Sequence, residues 1–210
     1  MTTLTKNVVI IDIGISNVGS VKRAIKKIGF EGIISKKNVD IDKSTHLILP
    51  GVGSFNNGMK NLRKNELEKT IRFNVINKNK PILGICLGMH LLANYGYENE
   101  KTKGLCLIDG EVKELSNKKL RLPHMGWNSV DYKKNDLFEN INNNKDFYFV
   151  HRFEFKPYDN SIIYGYTNYG SNFASVIKKK NIYGVQFHPE KSMQNGLQIL
   201  ENFISLNAQN

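Results

Sequence analysis

Cys86 stands between Gly84 and Gly88 in the stretch Pro81-Ile82-Leu83-Gly84-Ile85-Cys86-Leu87-Gly88-Met89-His90-Leu91-Leu92. The apolar residues 81–85 read as a buried strand of a parallel sheet, and residues 87–95 as the helix that follows. A nucleophile at that junction occupies a tight strand-to-helix turn, the cysteine form of the Gly-x-Ser-x-Gly elbow. Flanking glycines let the backbone bend sharply and approach a substrate without Cβ clashes. The helix N-terminus adds free N–H groups and a partial positive charge, both favouring thiolate over thiol.

A matching base lies 102 residues further on. Val185-Gln186-Phe187-His188-Pro189-Glu190 reads as the end of another apolar strand, on which His188 and Glu190 share a face while Phe187 turns inward. Glu190 can then hold one imidazole nitrogen while the other faces the thiol. A zinc-dependent deaminase uses similar residue types, but it needs a Pro-Cys-x-x-Cys pair that this chain lacks, so no metal or cofactor is expected. The loop Pro50-Gly51-Val52-Gly53 lacks the Gly-Lys-Ser/Thr of a phosphate-binding loop. A backbone N–H from Val52 or Gly53, paired with that of Leu87, suits an oxyanion hole instead, where a missing donor costs roughly 3–4 kcal/mol.

The elements that must position these groups alternate. Strands are expected at 8–12, 33–34, 46–49 and 81–85, and helices at 20–28, 58–77 and 87–95. This βαβαβα order implies an α/β fold with a mostly parallel sheet covered by helices. Residues 104–187 are β-rich, with short runs at 105–115, 127–132, 147–155, 162–167, 173–177 and 182–187, separated by turns such as Asn142-Asn143-Asn144. A last helix over 193–206 places Leu197, Leu200 and Ile204 on one face. No linker or repeat interrupts the chain, so residues 1–210 are expected to form one domain.

Composition narrows the function. The chain has 210 residues, 40% hydrophobic and 23% charged, ordinary values for a globular protein. Its two cysteines, Cys86 and Cys106, make no disulfide framework, and with no signal-peptide pattern they suit a reducing cytoplasm. Cys106, between Leu105 and Leu107, reads as core packing. The net charge of +11 comes mainly from lysine, with 5 arginines and 27 asparagines. Its short basic runs (Lys36-Lys37, Lys118-Lys119, residues 178–180) are dispersed, which argues against a nucleic-acid footprint. No apolar run reaches the ~18 residues a membrane helix needs.

A wider set of motifs carries a resemblance. It comprises Asp12-x-Gly14-x-x-Asn17-x-x-Ser20-Val21, Leu49-Pro50-Gly51-Val52-Gly53-x-Phe55 and the Cys86 elbow. It continues through Pro123-His124-Met125-Gly126-Trp127-Asn128, Tyr148-Phe149-Val150-His151 and Gly184-Val185-Gln186-Phe187-His188-Pro189-Glu190-Lys191-Ser192. Together they resemble the class I (triad) glutamine amidotransferases, which have a flavodoxin-like fold, and more narrowly the HisH family, the glutaminase subunits of imidazole glycerol phosphate synthase. The resemblance implies glutamine hydrolysis by Cys86, His188 and Glu190, with ammonia passed through a tunnel to a cyclase (HisF-like) subunit in a heterodimer. It implies substrate contacts at Gly51, His90 and His151, and a partner interface at Asn17, Trp127, Asn128 and Lys191. His124 and His151 lie in matched motifs and contact substrate or partner, or else are satisfied structural histidines.

Several positions differ from the family pattern. His90 stands where glutamine is usual, Arg152-Phe153 where the family has Ser-Tyr, and Ile13 and Ser16 where it has tyrosine and glycine. Residues 57–62 and 181–185 look like a branch that supplies ammonia to enzymes amidating surface sugars. Two other functions thus stay open beside the histidine pathway: a glutaminase for such a sugar system, and a regulatory subunit with impaired glutamine binding.

Overall fold

The structure, a computed structural model, describes residues 6–116, 120–141 and 145–206. The expected Asn142-Asn143-Asn144 turn and the Lys118-Lys119 pair lie outside those residues.

Strand alternation sets the layers. Along β1 (Val8–Ile11), Val8 and Ile10 enter one core and Val9 and Ile11 the other, all inaccessible to solvent. A strand apolar on both faces belongs in a sheet covered on both sides. The first half then runs α1 (Val18–Lys27), β2 (Gly32–Ser35), α2 (Asn38–Lys43), β3 (His46–Gly51), α3 (Phe55–Lys64), α4 (Leu67–Ile76), β4 (Ile82–Cys86) and α5 (Leu87–Leu91). The second half runs β5 (Tyr95–Gly96), β6 (Thr102–Lys103), β7 (Gly110–Glu114), β8 (His124–Tyr132), β9 (Lys145–His151), β10 (Phe153–Pro157), β11 (Ile163–Asn168), β12 (Asn172–Lys179), β13 (Ile182–Val185) and α6 (Met193–Ser205).

Among the described residues, nine strands form one sheet in the order β2-β1-β3-β4-β13-β12-β11-β8-β9. From β2 to β13 neighbours are parallel; from β13 to β9 they are antiparallel. Four further strands make a small sheet, β10-β7-β5-β6. The α/β class with its β-rich section is therefore as expected. One core lies under α3, α4 and α5, with Phe55, Met59, Leu62, Leu67, Ile71 and Val75 buried, and the other under α1 and α6, with Val21, Ile25, Leu197, Leu200 and Ile204. Among the described residues no helix is long and apolar enough to cross a membrane.

Some boundaries differ from expectation. The single helix expected over 58–77 is two, because Glu66 takes a left-handed backbone (φ 56°) that no right-handed helix continues through. The helix expected over 87–95 ends at Leu91, and the strand expected to run through Phe187 ends at Val185. Cys106 is half-buried rather than in the core, with φ 50°.

The glycines flanking Cys86 serve packing. A Cβ on Gly88 would lie 1.7 Å from the Leu49 carbonyl oxygen, and one on Gly84 2.7 Å from Gly88 O and Met89 N. Their bare Cα atoms face other backbone, not a ligand space, and let α5 lie directly on β3 and β4. Gly88→Ala should therefore lower stability by about 3 kcal/mol or more, since backbone rather than a flexible side chain must give way. Gly19→Ala, in α1 with only Arg23 Nη1 nearby at 3.5 Å, should gain roughly 0.5–1 kcal/mol. Urea midpoints of the two variants test this contrast; equal midpoints would refute it.

Candidate active site

Strand order brings distant residues together. β4 lies between β3 and β13, with Cys86 opposite Gly51 and Ile85 opposite Val185. The ends of three neighbouring parallel strands thus deliver the 51–53 loop, the cysteine and residues 186–190 to one edge of the sheet. Cys86 is both the last residue of β4 and the cap of α5, at φ 53° and ψ −111°. The bend expected of the glycines falls on the cysteine itself. Such a backbone in a non-glycine residue costs about 1–3 kcal/mol, offset here by the packing around it.

His188 and Glu190 meet differently from the strand geometry expected. The chain has left β13 and turned into a 3₁₀ segment, Pro189–Lys191, with His188 as its cap and proline at its first position, where no N–H is needed. That turn, rather than strand alternation, sets His188 Nδ1 2.9 Å from Glu190 Oε1, the two side chains being 2% and 3% exposed. The His188 N–H donates to the Tyr148 carbonyl (2.8 Å), and Ser192 Oγ–H donates to the His188 carbonyl (2.7 Å). Nε2 remains buried without a hydrogen-bond partner. Burial pulls the imidazole pKa down, but the Cys86 sulfur and the Glu190 carboxylate outweigh it and push it up to about 10. At neutral pH the ring is therefore an imidazolium beside the cysteine.

Cys86 opens on a cavity of about 210 Å³ lined by Val52, Gly53, Leu87, His90, Glu98, Val150, His151 and Phe153. His90 and His151 lie in this wall. Gly51 is not part of it: its Cα packs against the Leu87 side chain. Of the three N–H groups expected to form an oxyanion hole, that of Val52 already donates to the Ile15 carbonyl at 2.9 Å. Gly53, at φ 89°, and Leu87, at the start of α5, carry the other two N–H groups. Arg152 does not enter the cavity; it pairs with Glu114 on the surface.

His151 heads a directional chain. Its Nδ1–H donates to the Phe153 carbonyl (2.8 Å), so its Nε2 accepts from His124 Nδ1–H (2.9 Å). His124 Nε2 then accepts from Asn128 Nδ2 (3.3 Å), whose amide also donates to the Asn168 carbonyl (2.9 Å). One carbonyl at the origin fixes every tautomer along the line. Burial holds His124 at about 4 and His151 at about 3, so both rings are neutral.

On the outer face, Trp127 packs edge-on to Tyr148 and Lys191 Nζ lies 5.4 Å from the Tyr148 ring centroid. Trp127 is 47% and Met125 63% exposed on β8. Three of the four expected interface residues, Trp127, Asn128 and Lys191, therefore cluster on or beside β8 and β9. Asn17 caps α1 through its side-chain oxygen, which accepts the Ser20 N–H, and that helix packs against the 189–191 segment carrying Lys191. Sequence reasoning missed Glu98 and Gln186. Glu98 sits in a polar run without periodicity, and its carboxylate accepts the Phe55 N–H (2.8 Å) at the start of α3. Gln186 lies within a quoted motif, but only the tertiary fold gives it partners. Among the described residues no three His, Cys, Asp or Glu side chains converge as metal ligands.

The family model for glutamine amidotransferase class-I matches residues 9–206. "Imidazole glycerol phosphate synthase subunit HisH 2" of Methanococcus maripaludis is 48% identical over 199 residues, covering 94% of this chain and 98% of that one. "Imidazole glycerol phosphate synthase subunit HisH 1" of Campylobacter jejuni is 43% identical over 201 residues, 95% of this chain and 100% of that one. The solved structure of PurLQS from Thermotoga maritima superposes with a TM-score of 0.74 at 19% identity, over 96% of this chain and 98% of that one, which shows the shared fold.

Four buried imidazoles set an acid limit on stability. Burial lowers His46, His90 and His124 to about 4 and His151 to about 3. Between about pH 6.5 and 4 the unfolded chain binds a proton at each of these rings and the folded chain does not. Stability therefore falls with pH across that window, by up to about 1.4 kcal/mol per histidine per pH unit. His188 is protonated in both states there and adds no slope. Urea midpoints from pH 7.5 to 4.5 should drop steeply below 6.5; a flat profile would show that these rings are charged or solvated.

Proposed function

The chain belongs to the class-I glutamine amidotransferase family, and we propose that within it the protein is the glutaminase subunit of an imidazole glycerol phosphate synthase. The observation that carries this reading is near full-length identity of 48% and 43% to subunits of that name. The partner is then a HisF-like cyclase subunit, bound as a heterodimer over the exposed face of Met125, Trp127 and Lys191.

The chemistry follows from the site. Cys86 Sγ attacks the side-chain amide carbon of glutamine, and the negative charge passes to the amide oxygen. His188 Nε2, protonated at neutral pH, gives its proton to the leaving nitrogen, and ammonia departs from a γ-glutamyl thioester. Water then attacks that carbonyl while His188 Nε2 takes its proton, and glutamate leaves as the thiolate re-forms. Glu190 keeps the imidazole oriented and offsets its charge throughout. Burial of both side chains keeps water out of the hydrogen bond between His188 and Glu190.

Both tetrahedral oxyanions draw on the N–H groups of Leu87 and the 51–53 loop. The Val52 N–H contributes only after releasing the Ile15 carbonyl, so that contact restrains the free subunit. One missing donor is worth about a hundred- to thousandfold in rate. Glu98, a carboxylate in the wall, suits the α-ammonium group of glutamine, and the Phe55 N–H supports it from behind.

A diazoketone analogue of glutamine should leave one adduct, on Cys86, and Cys86→Ser should abolish both labelling and turnover. Glutamine hydrolysis should rise at least tenfold when a HisF-type cyclase and its nucleotide ligand are added. Absence of an adduct even in the complex would rule out the glutaminase chemistry. Stimulation only by a sugar-amidating enzyme would leave the chemistry intact and replace the partner.

A further inference from the structure

Gln186 is wholly buried, one residue beyond β13, and the mechanism above makes no use of it. Its backbone N–H donates to the Ser175 carbonyl at 2.9 Å, which fixes the residue against β12. A buried carboxamide costs stability unless its oxygen and its N–H groups find partners. The oxygen lies 2.6 Å from His90 Nε2. A carbonyl oxygen only accepts, so that ring nitrogen carries the hydrogen. With the oxygen held there, the amide nitrogen faces the opposite way, 3.8 Å from Cys86 Sγ.

Besides the His188 imidazolium, which favours the thiolate, the sulfur has a further neighbour of the opposite chemistry. The Val150 carbonyl oxygen lies 3.7 Å from Sγ and only accepts, so it suits a thiol S–H. An amide N–H suits the thiolate, which is the stronger acceptor. If the Gln186 carboxamide were reversed, its oxygen would oppose a thiolate. The orientation imposed by His90 therefore decides which protonation state of the sulfur this side chain favours.

We propose that His90 and Gln186 form a second relay onto the nucleophile: His90 fixes the carboxamide of Gln186, whose N–H holds the Cys86 sulfur as an acceptor. Both are positioning residues for the sulfur, whatever else His90 contacts in the cavity. The relay rests on the reading of Cys86 as nucleophile, but it acts before any substrate is bound.

It is tested on the full chain without glutamine, by following iodoacetamide alkylation of Cys86 against pH, with peptide masses separating Cys86 from Cys106. Gln186→Met keeps the volume and removes the donor; His90→Leu removes the fixing hydrogen; His90→Gln restores a donor to the amide oxygen. Each variant is first shown to unfold cooperatively on heating. Gln186→Met and His90→Leu should each move the alkylation midpoint up by about one pH unit, tenfold slower below it, while His90→Gln stays near the parent. Parental rates and midpoints in folded Gln186→Met and His90→Leu would overturn the relay. So would a shift in His90→Leu that His90→Gln fails to reverse, because lost packing would then explain it. If Gln186→Met does not fold, the two His90 variants decide alone. A parent chain that never labels with the glutamine analogue would overturn the glutaminase reading instead, a separate result.

Discussion

The parallel pairing of β4 with β13 is the contact on which everything at the site depends. It sets Ile85 opposite Val185, and the next residues along both strands, Cys86 and Gln186, emerge side by side. Both strands are buried on both faces, so their register is held by two cores at once, and a slip of one residue would send each side chain into the wrong layer. The cysteine and its amide neighbour are therefore placed by the doubly covered centre of the sheet, and the imidazole base by the turn that follows it. The cavity wall opposite them is supplied by Val150 and His151 of β9 and Phe153 of β10.

The three neutral imidazoles of the interior share one rule, which is that an oxygen acceptor at the start of each hydrogen-bond line decides which ring nitrogen carries the hydrogen. Carbonyls fix the tautomers of His151 and His124 in sequence, and the amide oxygen of Gln186 fixes that of His90. Burial keeps these three rings neutral, whereas His188, with a carboxylate and a sulfur on its two sides, is charged. Neutral and charged imidazoles thus coexist within one small volume because their nearest partners differ, not because their burial does. The exposed face is tied to this interior by main chain: Tyr148 packs under Trp127 and Lys191, and its carbonyl receives the N–H of His188.

Much of this was legible in the residues. The apolar runs ending at Leu49 and Ile85 marked parallel strands because strands buried on both faces carry unbroken hydrophobic sequence. The cysteine between two close-packing glycines marked the elbow, although the structure gives those glycines to helix docking and the strained backbone to Cys86. Pro189 was the signal for a turn at His188, since proline favours the first position of a helical segment; alternation along a strand concealed it. The break at Glu66 had no local marker, because neither Asn65 nor Glu66 is a strong helix breaker. Glu98 and Gln186 acquire their places only through tertiary contacts with α3, His90 and Cys86, and no periodicity announces such contacts. The engagement of the Val52 N–H by Ile15 is likewise a matter of loop path.

The separation of Cys86 and His188 by 102 residues has a consequence for how the molecule is made. The strands from β1 to β4 can pair among themselves as soon as they are synthesised, and their pairing needs only short crossovers. β13 cannot insert beside β4 until all the intervening chain exists, a loop closure whose entropy grows slowly with length but which delays long-range pairing. Until then the cysteine has no imidazole, no carboxamide and no closed cavity. A growing or half-folded chain thus carries an ordinary thiol. The triad assembles in the same cooperative event that completes the sheet, so a misfolded copy has the thiol without the groups that turn it on glutamine.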